Sequence, residues 1–373
     1  MTGEPPGGRV RCSCVGLTRV RRRTMLLGGL ALVAMRARAV TFAEVHAGTP
    51  LVLPRDYGSH ADFRSEWWYV TGWLRDARGE ELGFQITFFR NRPGVNEASA
   101  SAFAPRELFF AHAAIADPKL GRLRIDERAA RGGFGIANAS AQTTDVQLGR
   151  WSLALDGDVY HARMVARDFA MTLEFHPTLP PVPQGDRGVS RKGPRPEQAS
   201  YYYSIPQLEV TGTIERDRVS TGVTGRAWLD HEWSSEYLAS EAVGWDWTGI
   251  NFDDGGALMA FRIRDPGGGA YYAGGSFRDA QGGLATFAPD AVHFEARRRW
   301  RSSRTNVEYP VAMHVTAGPV ALTLEPLLDD QELDTRASAG TVYWEGAVRA
   351  VRDGRVVGRG YLELTGYGEP LKL

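Results

Sequence analysis

Short runs that alternate apolar with polar residues, each closed by a cluster of Gly, Asp or Pro, recur along most of this chain. Phe84-Gln85-Ile86-Thr87-Phe88, Leu208-Glu209-Val210-Thr211-Gly212, Ala321-Leu322-Thr323-Leu324-Glu325 and Tyr361-Leu362-Glu363-Leu364-Thr365 are the clearest. A period of two sends successive side chains to opposite faces of an extended strand, so these runs read as β-strands with one buried face. Asp76-Ala77-Arg78-Gly79, Asp156-Gly157, Asp253-Asp254-Gly255-Gly256 and Asp353-Gly354 read as hairpin turns, because Asp and Gly tolerate the backbone angles such turns require. No stretch sustains a helical period. With 43 glycines, the pattern predicts an all-β protein of sandwiches or barrels.

The pattern also repeats. Trp67-Trp68-Tyr69-Val70-Thr71-Gly72, then Asp76, then Phe84 to Arg90, parallels Trp245-Asp246-Trp247-Thr248-Gly249, then Asp253-Asp254, then Leu258 to Arg264. Gly212 to Asp230 parallels Gly346 to Glu363, each a hairpin that ends in an aromatic residue, Leu and an acid. Two copies of one β unit, over 50–237 and 240–373, account for both matches. Pro180 to Ser200 is rich in Pro, Gly and charge and has no period; it reads as a loop inside the first unit, either laid over a binding site or a surface insertion.

The ends and the composition exclude several classes. Arg21-Arg22-Arg23 precedes an apolar run from Met25 to Met35 and the small-x-small triplet Ala37-Arg38-Ala39, which predicts a cleaved twin-arginine export signal over 1–39 and a periplasmic or secreted protein. The run is too short for the roughly twenty residues of a membrane span. Cys12 and Cys14 lie in this leader, so the mature protein is expected to have no disulfide, thiolate nucleophile or cysteine metal site. Lys plus Arg equal Asp plus Glu at 44 each, which offers no handle for nucleic acid.

One segment stands out chemically. Trp228 to Trp247 holds four of the ten tryptophans together with Asp230, His231, Glu232 and Asp246. Ionised groups taken out of water cost several kcal/mol unless paired, so a packing core has little use for them. Trp228, Trp233, Trp245 and Trp247 suit the walls of a site for an apolar molecule, and the acids and imidazole suit proton transfer. His112 lies in an apolar strand and reads as a satisfied core histidine. His60 could join a metal set with His112 and His231, but no H-x-H or H-x-x-x-H spacing occurs and no Gly-x-Ser-x-Gly elbow, so neither a metal site nor a serine nucleophile is expected. Glu66, Glu345 and Glu363 stand beside aromatics and are expected to pair with arginines such as Arg90 and Arg262.

Pro54-Arg55-Asp56-Tyr57-Gly58-Ser59-His60, Glu66 to Gly72, Gly83-Phe84-Gln85 with Phe88-Phe89-Arg90, Tyr202-Tyr203-Ser204, Trp228 to Ser235, Gly244 to Trp247, Tyr343 to Gly346 and Gly360 to Tyr367 together resemble the AttH-like proteins, often labelled predicted secreted hydrolases. These are similar to the carotenoid 1,2-hydratases, or hydroxyneurosporene synthases. The resemblance spans nearly the whole mature chain. It implies two tandem lipocalin-like β-barrels and, for the hydratase branch, addition of water across a terminal isoprenoid double bond without a cofactor. It implies His231 and Trp233 as site residues and Asp246 as the acid.

The expected catalytic set is therefore His231, Asp246, Asp230 and Glu232. The expected ligand-binding set is Trp233, Trp228, Trp245, Trp247, Trp67 and Tyr203. His231 reads either as the base that positions water or as a strand-end histidine bonded to its acidic neighbours. The expected partner is one small apolar ligand, a lipid or isoprenoid-like molecule, either transformed by acid–base chemistry or only bound.

Overall fold

The structure is a computed structural model that describes residues 41–95, 99–101 and 103–371; the expected export signal, Cys12 and Cys14 lie outside the described residues. Apart from two 3-10 turns, Arg55–Tyr57 and Pro289–Ala291, its regular elements are strands, and no described helix is long and apolar enough to cross a membrane. The strands form a 13-stranded and a 10-stranded sheet. The first runs from Ser65–Asp76 to Val219–Ser234, the second from Gly244–Phe252 to Arg355–Leu364.

The same wiring serves both sheets. Ser65–Asp76 pairs with the strand after it, Glu81–Asn91, and with the last strand of its sheet, Val219–Ser234. Likewise, Gly244–Phe252 pairs with Ala257–Arg264 and with the closing Arg355–Leu364. Joining first strand to last while the others add outward lets a twisted antiparallel sheet curl back on itself. One edge strand of each sheet reaches back to a strand of the opposite half: Arg128 Nη2, on the edge strand Arg122–Arg131, donates to Val165 O of Val159–Val165 at 2.8 Å, and Arg262 Nη1 donates to Phe294 O of the edge strand Val292–Arg301 at 3.0 Å.

Side-chain alternation then sorts the apolar residues into layers. Trp68, Val70, Phe84, Phe88, Leu229 and Trp233 fill the first barrel, and Ile250, Leu258, Val311, Trp344 and Leu362 fill the second. A further cluster lies where the sheets meet, with Tyr69, Trp73, Tyr202 and Trp228 from one and Trp247, Phe261 and Tyr361 from the other. That shared layer joins the two sheets into one compact unit.

Local chemistry accounts for the turns and the repeated glycines. Asp353 (φ 50°) and Gly354 (φ 74°) are both left-handed, the requirement of a two-residue hairpin turn. Gly225 and Gly358 occupy matching places in the two closing hairpins. A Cβ at Gly225 would sit 1.9 Å from Trp73 O, and one at Gly358 would sit 2.6 Å from Asn251 O, so both strands cross too closely for a side chain.

Candidate functional site

Alternation divides the Trp228 to Ser234 motif between two environments. Trp228 belongs to the layer between the sheets, whereas Leu229 and Trp233 belong to the first barrel's core. Asp230 and Glu232 follow Trp228 outward, and His231 points inward with Trp233. The sequence treats these residues as one site; the fold makes two.

On the outer face, Asp230 is fully enclosed and accepts three hydrogen bonds. Tyr202 Oη donates to Oδ2 at 2.8 Å, Ser204 Oγ to Oδ1 at 2.6 Å, and Trp228 Nε1 to Oδ1 at 2.7 Å. Burial pushes its carboxyl up to about 7, with those donors pulling the other way. Trp247 Nε1 donates to Tyr202 Oη at 3.2 Å and ties in the second sheet. Beside them, Glu232 is paired with Lys192 at 2.8 Å, and burial raises its carboxyl while the lysine lowers it. Lys192 is held 4.4 Å over the Phe261 ring and 4.9 Å over that of Tyr202.

Lys192 comes from the Pro180 to Ser200 segment. Instead of forming a surface insertion, that segment adds short strands, Val182–Pro183 and Val189–Arg191, to the strand Ala199–Arg216, and Lys192 itself is buried.

The second sheet contributes its own acids to this face. Glu363 lies directly across from Glu345 in strand register, and Trp245 Nε1 donates to Glu363 Oε2 at 2.9 Å. Neither acid is paired with an arginine, contrary to expectation; among the described residues, Glu345 Oε1 has no partner. Burial raises Glu363 to about 7 and Glu345 well above the carboxylate range, each further raised by acid neighbours. Glu363 follows Tyr361 and Leu362 as Asp230 follows Trp228 and Leu229, so the repeated ending delivers one acid to this face from each sheet. A groove of about 560 Å³ opens alongside, with Trp73, Trp228 and Phe252 as apolar walls and Arg226 and Arg359 among its polar residues.

The inner cluster closes around Glu66. Its Oε1 is 2.9 Å from His231 Nε2 and 2.9 Å from His60 Nδ1, and its Oε2 accepts from Arg90 Nε at 2.9 Å and Ser59 Oγ at 2.8 Å. His231 Nδ1 is 3.1 Å from Tyr203 Oη. His60 stacks on Trp233 at 3.6 Å with an interplanar angle of 6°, and Trp68 stacks on His231 at 4.8 Å. Burial lowers the His231 imidazole, against the pull of Glu66. For His60 burial acts the same way, but Asp56 and Glu66 overcome it and raise the imidazole. His231 is thus a buried histidine bonded to Glu66 and Tyr203, not to Asp230 or Glu232.

Asp246 lies elsewhere. It alternates away from Trp245 and Trp247, toward the second barrel, where Arg262 binds it through two nitrogens, Arg264 Nε is 3.2 Å away, and Tyr367 Oη donates at 2.9 Å. Two guanidiniums hold this carboxylate as their counter-ion, and it lies in the second sheet apart from His231, so the two do not form the acid–imidazole pair expected of them. As Glu66 faces Arg90 across the first two strands of the first sheet, Asp246 faces Arg262 across the first two strands of the second, although the register makes Trp68 the position equivalent to Asp246.

The ligand-binding residues divide as well. Trp228, Trp245, Trp247 and Trp67 lie in or against the shared layer, with Trp67 4.8 Å from Tyr237. Trp233 and Tyr203 are sealed in the first barrel beside the histidines. His112 is buried between the sheets, 2.9 Å from Tyr343 Oη and 3.0 Å from Ser338 Oγ. Sequence reasoning missed Lys192 altogether, because its loop shows no period. It joined His60 to His231 only in a metal set that it set aside, with His112 rather than Glu66 as the third member, since only strand pairing brings Glu66 and Trp68 beside His231.

Two tandem curled sheets, each first strand paired with its last, define a lipocalin-like fold. The chain belongs to the AttH-like family, whose model matches residues 44–367. The crystal structure of a candidate AttH from Nitrosomonas europaea is 51% identical, covers 87% of this chain and 100% of its own, and superposes with a TM-score of 0.83. Kievitone hydratase from Nectria haematococca shares the fold at 14% identity, with 89% of this chain and 97% of that one covered and a TM-score of 0.67. CghA solved with Sch210972 is also similar in fold, at 14% identity, 82% and 89% coverage and a TM-score of 0.52. No curated protein sequence matches the chain.

Proposed function

We propose that the chain is an acid–base catalyst of the hydratase type that takes a largely apolar, isoprenoid-like molecule at the face between its sheets. The observation that carries this reading is Asp230, an enclosed carboxyl with three fixed donors. Trp228, which bonds it, also lines the groove. In this chemistry the carboxyl proton goes to one alkene carbon, a water oxygen bonds to the other, and the proton that water loses is taken by a carboxylate of the same face, such as Glu363. Indole faces suit the developing carbocation, and Trp228 and Trp247 stand edge to face at 6.2 Å. The fold shared with a hydratase supports the scaffold and does not name the substrate.

The test combines solvent extraction and mass spectrometry of the purified protein with assays of water addition to acyclic isoprenoids and of lipid-ester hydrolysis. Asp230→Asn is expected to lower the rate by roughly 10²–10⁴ while ligand retention is kept, because it removes the proton and preserves the shape. An unchanged rate would eliminate Asp230 as the acid. A wild-type protein that retains an apolar ligand and turns over nothing would make this a binding protein.

A further inference from the structure

We propose that His60, Glu66 and His231 form a binding site for one divalent transition-metal ion of the zinc class. His60 Nδ1 or Nε2, a Glu66 oxygen and a His231 nitrogen all lie within 4.8 Å of one another, with the side chains converging from two distant stretches of sequence. Ligand atoms around a zinc-sized ion, at about 2 Å from it, stand roughly 3–4 Å apart. Side-chain adjustment of about 1 Å would complete the set, and solvent would fill the remaining position as in His₂Glu zinc centres.

The atoms on the far side of each ligand are already held. Arg90 Nε and Ser59 Oγ occupy Glu66 Oε2 and leave Oε1 turned toward both imidazoles. His231 Nδ1 faces Tyr203 Oη at 3.1 Å, and His60 Nε2 faces Asp56 Oδ1 at 3.5 Å. An outer partner on each ring nitrogen, carboxylate or hydroxyl, is what orients metal-bound histidines. Stacking on Trp233 and Trp68 fixes both ring planes.

The two His60 ring nitrogens face two carboxylates, Asp56 and Glu66, an arrangement that an imidazolium satisfies with its two N–H groups and a neutral ring satisfies when a metal cation takes one nitrogen. Glu66 Oε1 meets both imidazoles and the His60 backbone N–H, at 3.0 Å. A cation at the point where these groups converge takes the lone pair of His60 Nδ1 and frees its N–H for Asp56. Asp56, Glu66 and Glu107 against Arg55 and Arg90 give the surroundings a net negative balance that suits the ion. The His60 side chain is 17% exposed, so the cluster is reachable from solvent.

The test is Co²⁺ titration of the full chain after chelation, read by visible d–d absorption and by the unfolding temperature. One Co²⁺ per chain, displaced by Zn²⁺, with a cobalt-dependent rise in unfolding temperature, is expected. His60→Ala, at the accessible edge of the cluster, is expected to weaken binding by about a hundredfold or more. Asp56→Asn keeps the ligands and should weaken it by about 10–100-fold. Absence of saturable one-to-one uptake by wild type, or uptake unchanged in both variants, would overturn the site. Asp230→Asn should bind Co²⁺ like wild type, so the metal site and the catalytic reading stand or fall separately.

Discussion

Asp230, His231 and Asp246 are all buried acid–base groups, yet their surroundings give them different work. Asp230 has only neutral donors about its oxygens, which tolerates a proton; Asp246 has two arginines, which hold it as their counter-ion. Asp246→Ala would leave Arg264 buried without its counter-ion, and Arg264 is further held 3.8 Å over the Tyr367 ring. Breaking one side of a buried pair costs about 3–5 kcal/mol, so a loss of this size is expected in urea unfolding. Activity of the surviving folded fraction should remain, whereas an acid catalyst would lose it without losing stability.

Paired strands set a second property, a dependence on pH. Register places Glu345 directly opposite Glu363 with no cation between them. The folded chain holds a proton on Glu363 up to about 7, against 4.5 for an ordinary glutamate. Between those values the folded state binds more protons than the unfolded one, so the stabilising contribution is full below about 4.5 and is lost as pH rises through about 7. The difference is on the order of 2–4 kcal/mol. Glu345→Gln combined with Glu363→Gln should therefore flatten the fall in unfolding temperature between pH 5 and 8 relative to wild type. An equally steep fall in the double variant would assign the dependence to other groups.

At the level of the whole chain, the two sheets have separate cores but share a third layer. Residues 240–373 alone would expose Trp247, Met259, Phe261, Ile263 and Tyr361, a patch well beyond scattered surface apolar residues. Expressed by itself, this part is expected to bind hydrophobic dye and associate, and to become monodisperse when residues 41–239 are supplied. A dye-negative monomer would show that the shared layer is dispensable. Alternation, turn chemistry and the repeated aromatic-Leu-acid ending were enough to foretell strands, hairpins and two copies of one β unit, because those depend on neighbours along the chain; the lipocalin-like form came only from the family resemblance. A period of two also tells which residues share a face. It does not tell what covers that face, and so it could not show that Tyr202 ties Asp230 to Trp247 while His231 meets Glu66 and His60. Nor could it show that Asp246 is neutralised by Arg262 or that Lys192 reaches Glu232. Strand identity and residue inventory were set locally by the sequence; the two sites were made by long-range register and by the packing of one sheet against the other, which fix the dielectric and the partners that decide what each acid or imidazole can do.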